Sequence, residues 1–181
     1  MSDFPVIDVH LHIHRASAVG IQAMGGQPRV PGYTGIIEEL LPLMQRDEIT
    51  HVCMVNFTPV ADMLDSALQG IPADATKTQR QEAEEQIALE MVGSAQRCND
   101  WTCQVANELP NLMAFIGVDP VMDGDTMANE VIRCKDKGDV GIKLHTTVQH
   151  LPVNDTRLWP AYRAVEEKAC SASSHRPLLW C

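Results

Sequence analysis

Two histidines separated by one residue follow a short apolar run near the amino terminus. The run is Pro5-Val6-Ile7-Asp8-Val9, and His10-Leu11-His12 comes directly after it. Alternate residues of a β-strand share a face, so both imidazoles point the same way. Active sites of α/β proteins lie at the carboxyl ends of parallel strands, and imidazole is a ligand for zinc and manganese. The pair predicts half of a divalent metal site; the alternative is a pair of inert surface histidines.

Two more polar residues lie close to this pair in the sequence. Asp8 precedes the histidines on the same strand face, one step deeper. A carboxylate there suits a partner that fixes the tautomer of a metal-binding histidine. His14 continues the alternation, but it falls in a loop beside Arg15, so we expect it to be solvated.

Polar residues also end the later apolar runs. Asn56 and Asp119 lie at the ends of the second and third runs, and on position alone they are candidates to line a pocket mouth. Lys143 and His145 close the fourth run on a common face. Either His145 reaches the pocket mouth, or it is an ordinary packed or solvated histidine.

Apolar runs alternate with helical patterns along the whole chain. Strands are predicted over residues 5–9, 51–57, 112–118 and 140–145. Apolar residues at helical spacing predict helices over 36–44, 78–109, 125–137 and 154–168. The second helix has an interruption near Asn99-Asp100, so it is one bent helix or two consecutive ones. Thr78 with Gln81 resembles its capping box, and Gly138 is typical of a helix C-cap.

Strands that alternate with helices indicate parallel βα units and an α/β fold. Four such units end near residue 168, whereas a closed eight-stranded barrel typically needs about 250 residues. We therefore predict a partial (β/α)₈ TIM barrel of about the first four βα units, with a small open α/β sheet as the alternative. Residues 1–168 would form this half-barrel. Residues 169–181 lack the expected glycine cap and fifth strand, and we interpret them as an atypical tail from another reading frame or an alternative exon.

The composition excludes several classes of protein. Fourteen Lys and Arg against 24 Asp and Glu give a formal net charge of −10 and a pI of about 5.0, which argues against a nucleic-acid partner. The apolar runs are too short for a membrane span, and the first residues do not resemble a signal peptide, so we expect a cytoplasmic protein. None of the six cysteines has the two-residue spacing of zinc or redox motifs, so we expect reduced thiols.

The residues at the strands carry a family resemblance. Val6-Ile7-Asp8-Val9-His10-Leu11-His12 resembles the opening motif of the amidohydrolase superfamily, in particular the amidohydrolase-related branch that includes aminocarboxymuconate-semialdehyde decarboxylase. Residues 115–120, 141–145 and 154–162 resemble the third strand, the fourth strand and the helix that follows it. The resemblance covers roughly residues 4 to 168.

The resemblance implies a single divalent metal, usually zinc and alternatively manganese, in a (β/α)₈ barrel. Such a metal polarises the substrate or lowers the pKa of a bound water. The motif assigns His10 and His12 as metal ligands, while the family's other ligands come from later strands, and His175 in the tail does not replace them. In binuclear relatives a fourth-strand lysine is carboxylated; in the mononuclear branch resembled here, Lys143 is a pocket residue or a structural cation.

Two functions from different classes follow. In the first, the chain is a truncated amidohydrolase-related protein, inactive or nearly so alone, whose parent is a metal-dependent hydrolase or decarboxylase of small carboxylated substrates. In the second, it is a non-catalytic half-barrel that pairs with a full-length subunit or with itself and modulates assembly. Open sheet edges and uncovered apolar helix faces favour pairing or aggregation. A small anion-binding α/β module is disfavoured because no glycine-rich phosphate loop follows a strand.

Overall fold

Strands and helices alternate along the chain in the computed structural model, which describes residues 4–138 and 141–171. The strands are β1 (Ile7–Leu11), β2 (His51–Val55), β3 (Leu112–Gly117) and β4 (Gly141–Lys143). The helices are α1 (Ser17–Ala23), α2 (Ile37–Arg46), α3 (Val60–Gln69), α4 (Lys77–Glu108), α5 (Gly124–Asp136) and α6 (Trp159–Ser171), with a 3₁₀ turn at Thr156–Leu158 before α6. None of these helices is both long enough and apolar enough to span a bilayer.

The four strands form one parallel sheet in the order β1-β2-β3-β4. Each strand pairs with the next one along the chain, and helices occupy every connection, as the alternating pattern predicts. The α/β architecture of consecutive parallel βα units is confirmed. All four carboxyl ends lie at one edge of the sheet, so the polar residues that follow the strands are gathered there.

The central strands are buried on both faces because they are almost continuously apolar. Val52, Met54, Ala114 and Ile116 are fully buried, and they belong to the large core that the helices cover. The alternate residues Cys53, Val55 and Phe115 form a small second cluster on the opposite face of the sheet. In a closed barrel that opposite face is the interior.

Helix α4 differs from its prediction in two ways. Its capping box uses Thr76 and Gln79 rather than Thr78 and Gln81, so the helix begins a little earlier. It also runs unbroken through Asn99 and Asp100. Asn99 is tolerated inside the helix because its amide bonds both backbone groups of Gly117 on β3, with N···O distances of 2.9 Å. The polar pair therefore marks a contact with the sheet rather than a break.

Other boundaries follow the pattern with small differences. Helices α1 and α3 are absent from the predicted helices. Helix α1 has only seven residues. The apolar residues of α3 do follow helical spacing, at Val60, Met63, Leu64 and Leu68, so the pattern is sufficient to predict this helix. Gly138 ends α5 with a φ of 95°, the left-handed conformation that a C-cap glycine adopts. β4 is shorter than predicted; residues 139 and 140 lie outside the described part of the chain, as do residues 172–181 of the predicted tail.

Four of the six cysteines lie in the described part of the chain. Cys53, Cys98, Cys103 and Cys134 form no disulfide there, and burial raises the pKa of Cys98. The reduced state of the thiols stays a prediction.

Candidate metal centre at the carboxyl end of the sheet

His10 and His12 bring their imidazoles together at the carboxyl end of β1. Their Nε2 atoms are 3.3 Å apart, and the rings meet edge to face with centroids separated by 5.2 Å. Two nitrogens bound tetrahedrally to one zinc at about 2.0–2.1 Å would lie about 3.3–3.4 Å apart. The spacing of the two donors therefore fits a shared divalent metal.

The protonation of His12 also suits a metal ligand. Burial, followed by the neighbouring His10 and Lys143, lowers the pKa of His12 from 6.5 to about 4. At neutral pH the ring is uncharged, so one of its nitrogens carries a free lone pair. Ligation by histidine requires this neutral form.

Asp8 acts on the backbone beside the pair. Its Oδ1 accepts a hydrogen bond from the amide of His10 at 3.0 Å. This bond fixes the chain where β1 departs from regular pairing with β2, since the register shifts between Asp8 and Leu11. The structure thus places Asp8 one step deeper than His10, where it orients the His10 backbone.

Asn56 holds the segment that follows His12. Its Oδ1 accepts from the amide of Ile13 at 3.0 Å, and its Nδ2 donates to Oγ1 of Thr102 at 3.0 Å. Asn56 is only 4% exposed. The residue predicted at a pocket mouth is therefore a buried link that ties the end of β1 to β2 and α4.

Phe57 lies between two of the histidines and was not singled out from the sequence. Its ring centroid is 5.6 Å from that of His12 and 5.1 Å from that of His145. Phe57 directly follows Asn56 beyond the end of β2, so its place at the carboxyl edge is the signal that would have found it. The rings of His12, Phe57 and His145 therefore form a continuous aromatic surface.

His145 is fixed by its own loop. Its amide donates to Oε1 of Gln149 at 2.8 Å, and its Nδ1 accepts from the amide of Val148 at 3.4 Å. In the neutral ring the second bond leaves the proton on Nε2. His145 lies across Phe57 from His12, and its place at a pocket mouth stays a prediction.

Asp119 and Gln149 join the ends of β3 and β4. Asp119 is buried; its Oδ1 accepts from the amide of Val121 at 3.0 Å and its Oδ2 from Nε2 of Gln149 at 3.4 Å. The same Gln149 nitrogen donates to the carbonyl of Val118. Gln149, which no sequence pattern singles out, therefore positions the His145 loop against β3.

Lys143 supplies the positive charge near the pair. It ends β4, is half-buried, and is among the charges that lower the pKa of His12.

His14, expected in solvent, is instead half-buried: its amide donates to the carbonyl of Gly35 at 2.7 Å, and burial lowers its pKa. The loop after α1 folds back over His14, which explains the difference.

The donor set at this edge is incomplete. In the part of the chain that the structure describes, no group of three or more His, Cys, Asp or Glu side chains could hold a metal ion. His10 and His12 fit as two ligands of one divalent metal, but a stable site needs further donors.

Comparison with known proteins identifies the family. The sequence matches the family model described as amidohydrolase over residues 7–178. No curated protein matches it.

Solved structures share the fold. The chain is similar to 2,6-dihydroxybenzoate decarboxylase from Rhizobium, with a TM-score of 0.54 and 20% identity, over 90% of this chain and 47% of that one. It is also similar to 5-carboxyvanillate decarboxylase from Novosphingobium aromaticivorans, solved with manganese and 4-hydroxy-3-methoxy-5-nitrobenzoic acid. There the TM-score is 0.59 and the identity 16%, over 91% of this chain and 48% of that one. The chain spans about half the length of these structures, which confirms the prediction of a partial barrel. Because the family model matches nearly the whole sequence, the chain belongs to the amidohydrolase family.

Proposed function

We propose that this chain carries the first half of the metal centre of a decarboxylase or hydrolase that acts on small carboxylated substrates. The observation that carries the proposal is the 3.3 Å separation of the His10 and His12 Nε2 atoms at the carboxyl edge of the sheet. The names of the structural neighbours, both of them decarboxylases of aromatic carboxylates, support the substrate class.

Each residue at the edge has a role in this proposal. His10 and His12 would hold the metal, zinc or manganese, through neutral imidazoles. When bound, such a metal polarises a substrate oxygen or lowers the pKa of a water. Phe57 offers an aromatic face to a flat substrate, and the ammonium group of Lys143 would attract its carboxylate.

The incomplete donor set limits activity. Two imidazoles hold a divalent ion far less firmly than four or five converging ligands. The 181-residue chain alone should therefore release CO₂ from 2,6-dihydroxybenzoate at or near the uncatalysed rate, even with metal added.

Cobalt(II) provides a direct test because its visible spectrum reports nitrogen ligation. We expect Co²⁺ bands that change when 2,6-dihydroxybenzoate is added and do not change with 1,3-dihydroxybenzene, which lacks the carboxylate. The bands should disappear in a His10→Ala/His12→Ala variant and persist in His150→Ala, an exposed histidine on a loop. Bands that survive the double substitution would overturn the proposal. Bands that respond to neither compound, or equally to both, would overturn the proposed class of carboxylated substrates.

A second candidate function is the non-catalytic half-barrel that pairs with a full-length subunit and modulates its assembly. The exposure of apolar residues on β1 favours a role in pairing. Co-purification of the tagged chain with a full-length family member would support this candidate, and its failure with every such subunit would exclude it.

A further inference from the structure

Strand β1 exposes apolar side chains on the face opposite His10. Ile7 is 41% and Val9 56% exposed, and these two alternate residues share that face. In contrast, residues 52–55 of the neighbouring strand β2 are buried. A β-strand face of this kind is normally covered in a soluble protein.

The backbone of β1 is open at the edge that lies away from β2. The carbonyl of Val6 accepts from the amides of Thr50 and His51, so it points toward β2. Backbone groups alternate in direction along a regular strand, and those of Ile7, which precedes the register shift between Asp8 and Leu11, therefore point away from β2. In the described part of the chain no strand pairs with this edge of β1.

The other edge of the sheet is complementary to this one. β4 pairs with β3 through Ile116 opposite Ile142, and it is the last strand in the described sheet order. All four strands run in parallel. A strand placed beside β1 in the same direction, with a helix behind it, would continue the sheet as a barrel does.

We propose that the occupant of this edge is a second copy of the chain. A two-fold axis along the barrel would place β4 of each copy beside β1 of the other, so that both junctions are identical and the four described strands of each copy close into one barrel of eight parallel strands. A full-length subunit fits less well because a closed barrel presents no strand edge.

Helix α6 supports this arrangement. In a right-handed crossover, the helix after a strand lies over the junction between that strand and its next neighbour. α6 follows β4, so in the dimer it would cover Ile7 and Val9 of the second copy. Trp159 at the start of α6 is 49% exposed and available for such a contact. The two imidazole pairs would then face one interior.

Molar mass in solution tests the pairing, and it is independent of metal binding. Sedimentation of the purified chain should give about 40 kDa, twice the 20.0 kDa of one chain. Val9→Lys should sediment at the mass of one chain with an unchanged circular dichroism spectrum, because Val9 is already exposed in the single copy. Leu89→Lys, at a 67% exposed position on α4, should remain a dimer.

The contact itself can be observed in a dimer mixed from two isotopically labelled samples. Isotope-filtered spectra should show contacts between Val9 methyls of one copy and Ile142 methyls of the other. A monomeric wild-type chain, a polydisperse ladder of oligomers, a dimer that resists Val9→Lys, or assembly only with a full-length subunit would each overturn the proposal.

Discussion

The side-chain oxygen of Asn56 accepts a hydrogen bond from the backbone amide of Ile13, the residue after His12, at 3.0 Å. Asn56 also donates to Thr102 on α4. One buried amide thus connects the metal-binding end of β1 with the adjacent strand and with the helix layer. Asn56 therefore helps to position His12, although Asn56 itself is not a proposed metal ligand.

Asn56→Ala should lower the free energy of unfolding by about 1–3 kcal/mol, because the amide of Ile13 and the hydroxyl of Thr102 lose a buried partner. It should also weaken metal binding, since the segment after His12 is released. Urea denaturation and Co²⁺ titration measure the two effects. Asn154→Ala, at an exposed position, is the control and should change neither. Full stability in Asn56→Ala would contradict this role.

Glu130 is the buried charge that joins α4 and α5. Its carboxylate accepts from Asn99 at 2.8 Å and from Arg133 at 2.7 and 2.9 Å. Glu130→Ala should cost about 3 kcal/mol of unfolding free energy, the lower end of the range for a broken buried pair, because Arg133 keeps its contact with Asp100. Thermal or urea denaturation checks this, and a loss below 1 kcal/mol would count against the network.

The same carboxylate makes stability depend on pH. Burial acts to raise the pKa of Glu130, but hydrogen bonds from Arg133 and Asn99 outweigh it and leave the pKa below its ordinary 4.5. Its stabilising contribution is therefore complete above about pH 4.5 and is lost as the pH falls through the folded-state pKa. The stability difference between wild type and Glu130→Gln should shrink on acidification from pH 6 to pH 3, and a constant difference would contradict the shifted pKa.

His12 should titrate near pH 4 in the metal-free protein, which NMR of the ring can follow. The unfolded chain binds this proton near pH 6.5, so His12 reduces stability progressively from about pH 6.5 to pH 4 and adds no further change below that. In His10→Ala the pKa of His12 should rise but stay below 6.5, because burial is the largest cause of the shift. A return to 6.5 would show that the neighbouring ring, and not burial, dominates.

Gly117 makes room for the aromatic ring between the histidines. A Cβ at this position would lie 3.1 Å from both Cα and Cβ of Phe57. Gly117→Ala should destabilise the fold by about 1–3 kcal/mol and displace Phe57. NMR should then show shifted His12 and His145 ring resonances, while Gly25→Ala, with no atom near the added methyl, should leave both resonances in place. Unchanged ring signals in Gly117→Ala would mean that Phe57 does not set the positions of the histidines.

The sequence predicts the parts of this fold that depend on local pattern. The nearly continuous apolar residues of β2 identify a strand buried on both faces, and the alternation of His10 and His12 places two imidazoles on one face. The contacts that build the rest of the site join residues far apart in the chain. Asn99 looks like a helix break until its bonds to Gly117 are known, and Gln149 gains its role only when the ends of β3 and β4 are brought together. Residue spacing alone does not predict these contacts between distant parts of the chain.

The most direct test is equilibrium dialysis of the monodisperse protein against a known concentration of free zinc or manganese, because a two-ligand site binds metal weakly. We expect bound metal in the wild-type chain, the same amount in His150→Ala, and a fall to background in His10→Ala/His12→Ala. An amount of bound metal that the double substitution leaves unchanged would contradict the assignment of His10 and His12 as half of a metal centre.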